Sequence, residues 1–288
     1  MYKQYDKDVL KKLQNVQLEI LSDFIDTCKK NNLNYFLVFG TALGAVRHKG
    51  FIPWDDDVDV GMLREDYNKF LEIAKMQLSD KYEILTPLTN KEYACSVTHF
   101  QKKNTSFIPE TSKDLKCNMG INIDIFAFDN IADEKFKKNV QAKEAWFLGR
   151  LLFLRGTAHP IIPIKGIRGE IAKIICVIAH YILVIFNISA PFIYKKLLKV
   201  SKKYNNISTE YVTCFEDFAP INDMIRRKDI FPLKKIKFEN LEVNVPNKNH
   251  ELLTEMYGDY MKIPPRDKRV NHCPYVLDFG EENEGKDF

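Results

Sequence analysis

Asp55, Asp56, Asp57 and Asp59 place four carboxylates just behind the cationic run Arg47, His48 and Lys49. Asp57-Val58-Asp59-Val60 alternates charged with apolar side chains. On a strand, that period of two puts Asp57 and Asp59 on one face and Val58 and Val60 on the other. Carboxylates sharing a face repel each other unless a cation sits between them. A hard divalent ion with oxygen ligands, Mg²⁺ or Mn²⁺, suits such a pair. Upstream, Gly40-Thr41 follows the apolar run from Tyr35 to Phe39 and predicts a glycine turn whose N–H groups can approach a phosphate. Together these features predict metal-assisted chemistry on a phosphate-containing substrate. An acidic run is more often a solvated loop. Here the strand-like alternation behind it and the cations ahead of it favour a site. Asp55 has the parity of Asp57 and Asp59 and is expected to join them. Asp56 has the opposite parity and reads as a solvated or turn-capping residue.

A further carboxylate comes later. In residues 121–126, Ile121, Ile123 and Ile125 alternate with Asn122, Asp124 and Phe126. Asp124 is either a polar residue on an edge strand or a third carboxylate meeting Asp57 and Asp59 from a neighbouring strand. In the second case it would complete a metal shell or take the proton of an acceptor hydroxyl. Arg47 suits two-point contact with phosphate. His48 could bind phosphate or be structural. Trp54 could stack on a base or a cation, or pack beneath the acidic loop. Lys102, Lys103 and Asn104 end a strand and could reach a donor molecule.

Residues 39–61 resemble the signature of the LicD-type phosphotransferases, a group that includes the fukutin-like proteins. The matching positions are Gly40, Thr41, Leu43, Gly44, Ala45, Arg47, His48, Gly50, Ile52, Pro53, Trp54, Asp55, Asp57 and Asp59. Asn122 to Phe126 and Tyr257 to Pro265 resemble later blocks of the family, with Arg269 and His272 following in a family-like position. The resemblance implies an α/β enzyme with a nucleotidyltransferase-like mixed sheet, flanking helices and a helical insertion. It also implies transfer of phosphocholine, or a related polyol phosphate, from a CDP-linked donor to a hydroxyl of a cell-surface glycan precursor, releasing CMP. CDP-choline is the first donor to consider, and the glycan acceptor could be carried on a lipid. Asp57, Asp59 and Asp124 would then be the catalytic and metal-binding residues, for Mg²⁺ or Mn²⁺. Gly40, Thr41, Arg47, His48, Asp55, Arg269 and His272 would bind substrate. One rival reading is a nucleotidyltransferase that moves the nucleotide itself onto a small hydroxylated substrate. Another is a non-catalytic metal-binding scaffold, which has no need for costly like-charge clustering.

The elements that must hold these residues follow from periodicity. Apolar side chains at helical spacing predict a helix over 8–30, ended by Asn31-Asn32, and another over 65–78. Strands are expected at 34–39, 57–62, 93–103 and 119–127, with strand-like pieces at 211–216 and 236–245. Helices are expected at 134–155, 170–186, 192–204 and 248–257. One domain over 1–288 is expected, with a helical, basic and apolar insertion at about 134–205. Residues 280–288 read as a frayed tail.

The chain has 288 residues and is 45% hydrophobic, enough to bury a sizeable core. Its net charge of +4 is unevenly spread. Between His159 and Asn205, eight lysine or arginine residues face one glutamate, a local +7 that leaves −3 elsewhere. A local anionic surface therefore fits better than general nucleic-acid affinity. Residues 174–186 are nearly all apolar, too few for a span of about 20. Lys173, His180 and Asn187 make one polar stripe on that helix. It is expected to be buried on most sides, to lie in a membrane interface or, least of all, to cross a membrane. The six cysteines contain no C-x-x-C pair, which argues against structural zinc. The polar N-terminus has no apolar signal region, so a cytoplasmic location is expected, with peripheral attachment to the inner face of the membrane as the addition its basic segment suggests.

Overall fold

The computed structural model describes residues 5–162, 164–217, 219–271 and 273–280. Helix α1 (Lys7–Lys30) starts where the Asp6 carboxylate accepts hydrogen bonds from the N–H groups of Asp8 and Val9. Strand β1 (Phe36–Leu37) leads straight into α2 (Phe39–Arg47), and β2 (Asp59–Leu63) into α3 (Arg64–Gln77). Then come β3 (Tyr82–Leu85), β4 (Thr98–Lys102), β5 (Ser106–Ile108) and the long β6 (Asn122–Asn130). Three helices follow, α4 (Lys135–Gly156), α5 (Ile167–Ile185) and α6 (Ala190–Ser201). The chain closes with β7 (Tyr211–Cys214), β8 (Ile225–Arg226), α7 (Arg227–Ile230), β9 (Lys234–Phe238), β10 (Leu241–Val245), α8 (Asn249–Tyr257) and β11 (Val276–Asp278).

The main sheet runs β1-β2-β6-β4-β3, and β7 and β8 extend it from the second half of β6. β2 and β6 are parallel, as their α3 crossover permits, while β4 and β7 pair with β6 antiparallel. The mixed α/β architecture matches expectation. Strand alternation divides the core. Val60, Met62, Ile123 and Ile125 pack on Leu13, Phe24 and Phe70 of α1 and α3. Phe126 and Phe128 point the other way, to Phe36, Val38 and Val212. Gly61 makes the tight fit possible, because a Cβ there would lie 2.8 Å from the rings of Phe36 and Phe128. Helices α4 and α6 interlock separately through Ala142, Ala145, Leu152, Tyr194 and Leu197.

Several expectations change. The Gly40-Thr41 glycine turn is the first turn of α2 instead, because Phe39 bends the chain at φ 49° immediately after β1. Within 93–103 only Thr98–Lys102 is a strand, and β3 supplies an edge that alternation did not reveal. The piece at 236–245 is a β9–β10 hairpin turning at Glu239, where φ is 53°. Asp56 is buried, not solvated; its carboxylate accepts a 2.7 Å hydrogen bond from the Tyr5 hydroxyl. The expected frayed tail lies outside the described residues beyond Gly280.

Candidate functional site

Strand pairing brings the sequence-distant carboxylates together. In the parallel β2–β6 pair, Asp59 stands opposite Asp124. β6 is central in the sheet, so Asp124 is no edge residue. Both aspartates share the parity that faces away from α1 and α3. Asp57, Asp59 and Asp124 line a cavity of about 410 Å³ between the sheet, α4 and the end of α8. Thr41 fixes the height of β2: its buried hydroxyl oxygen accepts a 2.8 Å hydrogen bond from the Asp59 N–H. Gly40 lets Asp55 close over α2, since a Cβ there would come within 3.3 Å of Asp55 Oδ2. The first-turn N–H groups of α2 have no carbonyl one turn back, so this helix end favours anions.

The electrostatics are lopsided. Burial, then the charges of Asp57, Asp124, Asp55 and Asp217, push the Asp59 carboxyl well above the usual carboxylate range. Among the described residues, no three His, Cys, Asp or Glu side chains are already arranged around one ion. The chemistry of the donor set still fits a hard cation: the buried Asp59 stands among the partly exposed Asp57 and Asp124, whose charges raise its proton affinity, and a divalent ion would relieve that repulsion.

Four residues in or beside the cavity carried little sequence signal. His99 on β4 pairs in register with Asp124, and its Nε2 lies 3.4 Å from Asp124 Oδ1. Burial pushes its imidazole down to about 4, so it stands neutral beside the carboxylates. Glu216 and Asp217 enter from the loop after β7, and Arg150 from α4. Glu216 is pushed up to about 7 by burial, against the pull of Arg64. Aromatic side chains complete the walls, among them Phe39, Trp146, Phe153 and Tyr257. Tyr257 belongs to the Tyr257–Pro265 block, so that block does reach the cavity.

The remaining expected residues gather elsewhere. Arg47 Nη1 donates to the Tyr260 carbonyl at 2.7 Å, and its Nε donates to His48 Nε2 at 2.8 Å. The Arg269 guanidinium lies 4.4 Å above the Trp54 ring, and the His48 ring meets Trp54 edge-on. Arg47, His48, Trp54 and Arg269 thus form a clamp between α2 and the C-terminal segment. None of them lines the cavity. Lys102 is ion-paired with Glu19 at 2.9 Å. His272 lies outside the described residues.

Residues 32–161 match the family described as LicD/FKTN/FKRP, nucleotidyltransferase domain. The chain carries a LicD-family domain. The match holds Asp57, Asp59, His99, Asp124 and Arg150, whereas Glu216 and Tyr257 lie beyond it. Similarity to one relative runs nearly end to end. The lipopolysaccharide cholinephosphotransferase LicD of Haemophilus influenzae is 28% identical over 284 residues, covering 92% of this chain and 96% of the relative. An uncharacterized protein of Rickettsia prowazekii is 38% identical over 79 residues, 27% of this chain and 28% of its own length. Another, from Rickettsia typhi, is 46% identical over 55 residues, 19% of this chain and 18% of its own.

Proposed function

We propose that this chain is a phosphotransferase that moves phosphocholine from CDP-choline to a glycan hydroxyl of a lipopolysaccharide precursor, releasing CMP. The observation that carries the reading is the register of Asp59 against Asp124 on the floor of an aromatic-walled cavity. The near full-length similarity to a lipopolysaccharide cholinephosphotransferase supports the choice of phosphocholine and acceptor.

Asp57, Asp59 and Asp124 would hold Mg²⁺ or Mn²⁺, which when bound supplies Lewis-acid polarisation of the donor's phosphates. Asp124 would accept the proton of the attacking hydroxyl, with His99, 3.4 Å away, orienting it. The α2 N-terminus and Arg150 offer counter-charge to phosphate oxygens. A trimethylammonium group suits the face of Trp146 or Tyr257, with the acidic Asp217 close by in the same lining. Trp54 is less suited, because Arg269 already covers its ring.

The test is a donor screen with Mg²⁺ and a lipopolysaccharide acceptor, read by mass spectrometry. CMP release from CDP-choline, abolished by EDTA, is the expected result. Pyrophosphate release from CTP would point to nucleotidyl transfer instead. CMP release from no CDP-linked donor would overturn the proposal.

A further inference from the structure

Outside the cavity, helix α5 is the least ordinary surface of the molecule. Ile167, Ile171, Ile174, Ile178, Ile182 and Ile185 recur at steps of three and four residues, each 47% to 76% exposed. They form one stripe along a helix of about 27 Å. The opposite side meets the protein: Gly169 and Leu183 are buried, and His180 Nδ1 lies 2.7 Å from the Leu154 carbonyl on α4, while Lys173 and Glu170 stay exposed and pair with each other at 2.8 Å. A surface helix normally shows the reverse arrangement. The stripe therefore needs a cover, and its chemistry says which kind. It offers no charge and no hydrogen-bonding group. Lys165 and Arg168 stand at its start, and beyond a 107° bend Lys195, Lys196 and Lys199 stand on α6. Phe192 is exposed among them, with Lys196 Nζ 5.5 Å from its ring centre.

We propose that α5 lies in the plane of an anionic membrane surface, its isoleucine stripe at the acyl boundary and the flanking lysines and arginines among the headgroups. Crossing the bilayer fits less well: among the described residues no single helix is long and apolar enough to span it, and the α5–α6 pair that together reaches that length is bent by 107°, with Tyr194 and Leu197 of α6 packed into the cluster with α4. A second copy fits poorly, because it would set one +7 segment against another. Pocket and stripe share a support: α4 lines the cavity with Trp146 and Arg150 and receives His180 of α5 at Leu154. Membrane docking therefore fixes the orientation of one cavity wall relative to the lipid.

The test is flotation of the whole chain with vesicles of phosphatidylglycerol and phosphatidylcholine, against phosphatidylcholine alone. The expected result is binding that requires the anionic lipid and drops at least about tenfold at about 1 M salt, where the Debye length has collapsed. Ile174→Asp with Ile178→Asp should abolish binding. Lys195→Gln with Lys196→Gln and Lys199→Gln should weaken it and flatten its salt dependence. Hydrogen exchange on the unmodified protein gives a reading that needs no variant: residues 167–186 should gain protection with anionic vesicles. Absence of binding at low salt, binding untouched by Ile174→Asp with Ile178→Asp, or a wild-type dimer that this pair of substitutions splits would each overturn the proposal. No donor or glycan is present in this assay, so its failure leaves phosphocholine transfer standing.

Discussion

The two ends of β6 treat an aspartate in opposite ways. Asp129 is met by Arg64 at both oxygens, at 2.9 and 2.6 Å, and Asn205 donates to it as well. Glu216 approaches the same guanidinium at 3.6 Å. Burial works against the Arg64 charge, yet Asp129 and Glu216 hold its proton more tightly than in water. Five residues upstream, Asp124 faces Asp59 across the sheet, and Asp59 feels four other carboxylates. The first end is neutralised within the fold. The second gathers an excess of like charge, with Arg150 in the same lining, that a bound cation would relieve.

Substitutions can break this contrast. Asp59→Asn should lower transfer at least about a thousandfold, the scale of losing a central electrostatic group. In EDTA its melting temperature should match or exceed that of the wild type, because one buried repulsion is gone. A clear loss of metal-free stability would place Asp59 among the structural acids instead. Arg64→Met should act in the opposite sense, costing about 3–5 kcal/mol in urea unfolding by leaving two buried carboxyls without their cation. An Arg64 variant of unchanged stability would erase the distinction.

Glu216 sharpens the comparison, since it touches the Arg64 cluster and also lines the cavity. Its folded value of about 7 lies above the ordinary 4.5. Between those values the folded state holds more protons, so its contribution is complete below about pH 4.5 and is lost as pH rises through about 7. Glu216→Gln should remove that decline, so its stability relative to the wild type should rise by about 2–3 kcal/mol from pH 4 to pH 8. Parallel stability curves for the two proteins across this range would rule out the titration.

Much of the site was legible because strands repeat every two residues. Asp57, Asp59 and Asp124 each sat in an alternating run, and alternation specifies a face. The long helices were legible for the same reason at their own period. His99 was not, since one histidine in a polar stretch carries no period; its place comes from pairing with β6. Glu216 and Asp217 sit in a loop that a distant arginine holds. Arg47 and Trp54 were read for their chemistry, but tertiary packing claimed them for the C-terminal clamp. Helix α5 marks another limit: a stripe pattern gives the two sides of a helix but not which one meets the protein.

The order in which β6 gains its neighbours also bears on how the chain is made. Its far half pairs with β7, so Asp129 and Asn130 wait for residues 211–214. At about 5–20 residues per second of synthesis, that gap of 81 residues lasts about 4–16 s. Through that interval the nascent sheet has an open edge at Phe128 to Asn130, and the acidic cavity lacks Glu216, Asp217 and Tyr257. A ribosome stalled within α4 to α6 therefore exposes an aggregation-prone edge rather than a working site. The lining of the cavity is complete only once Tyr257 has been made.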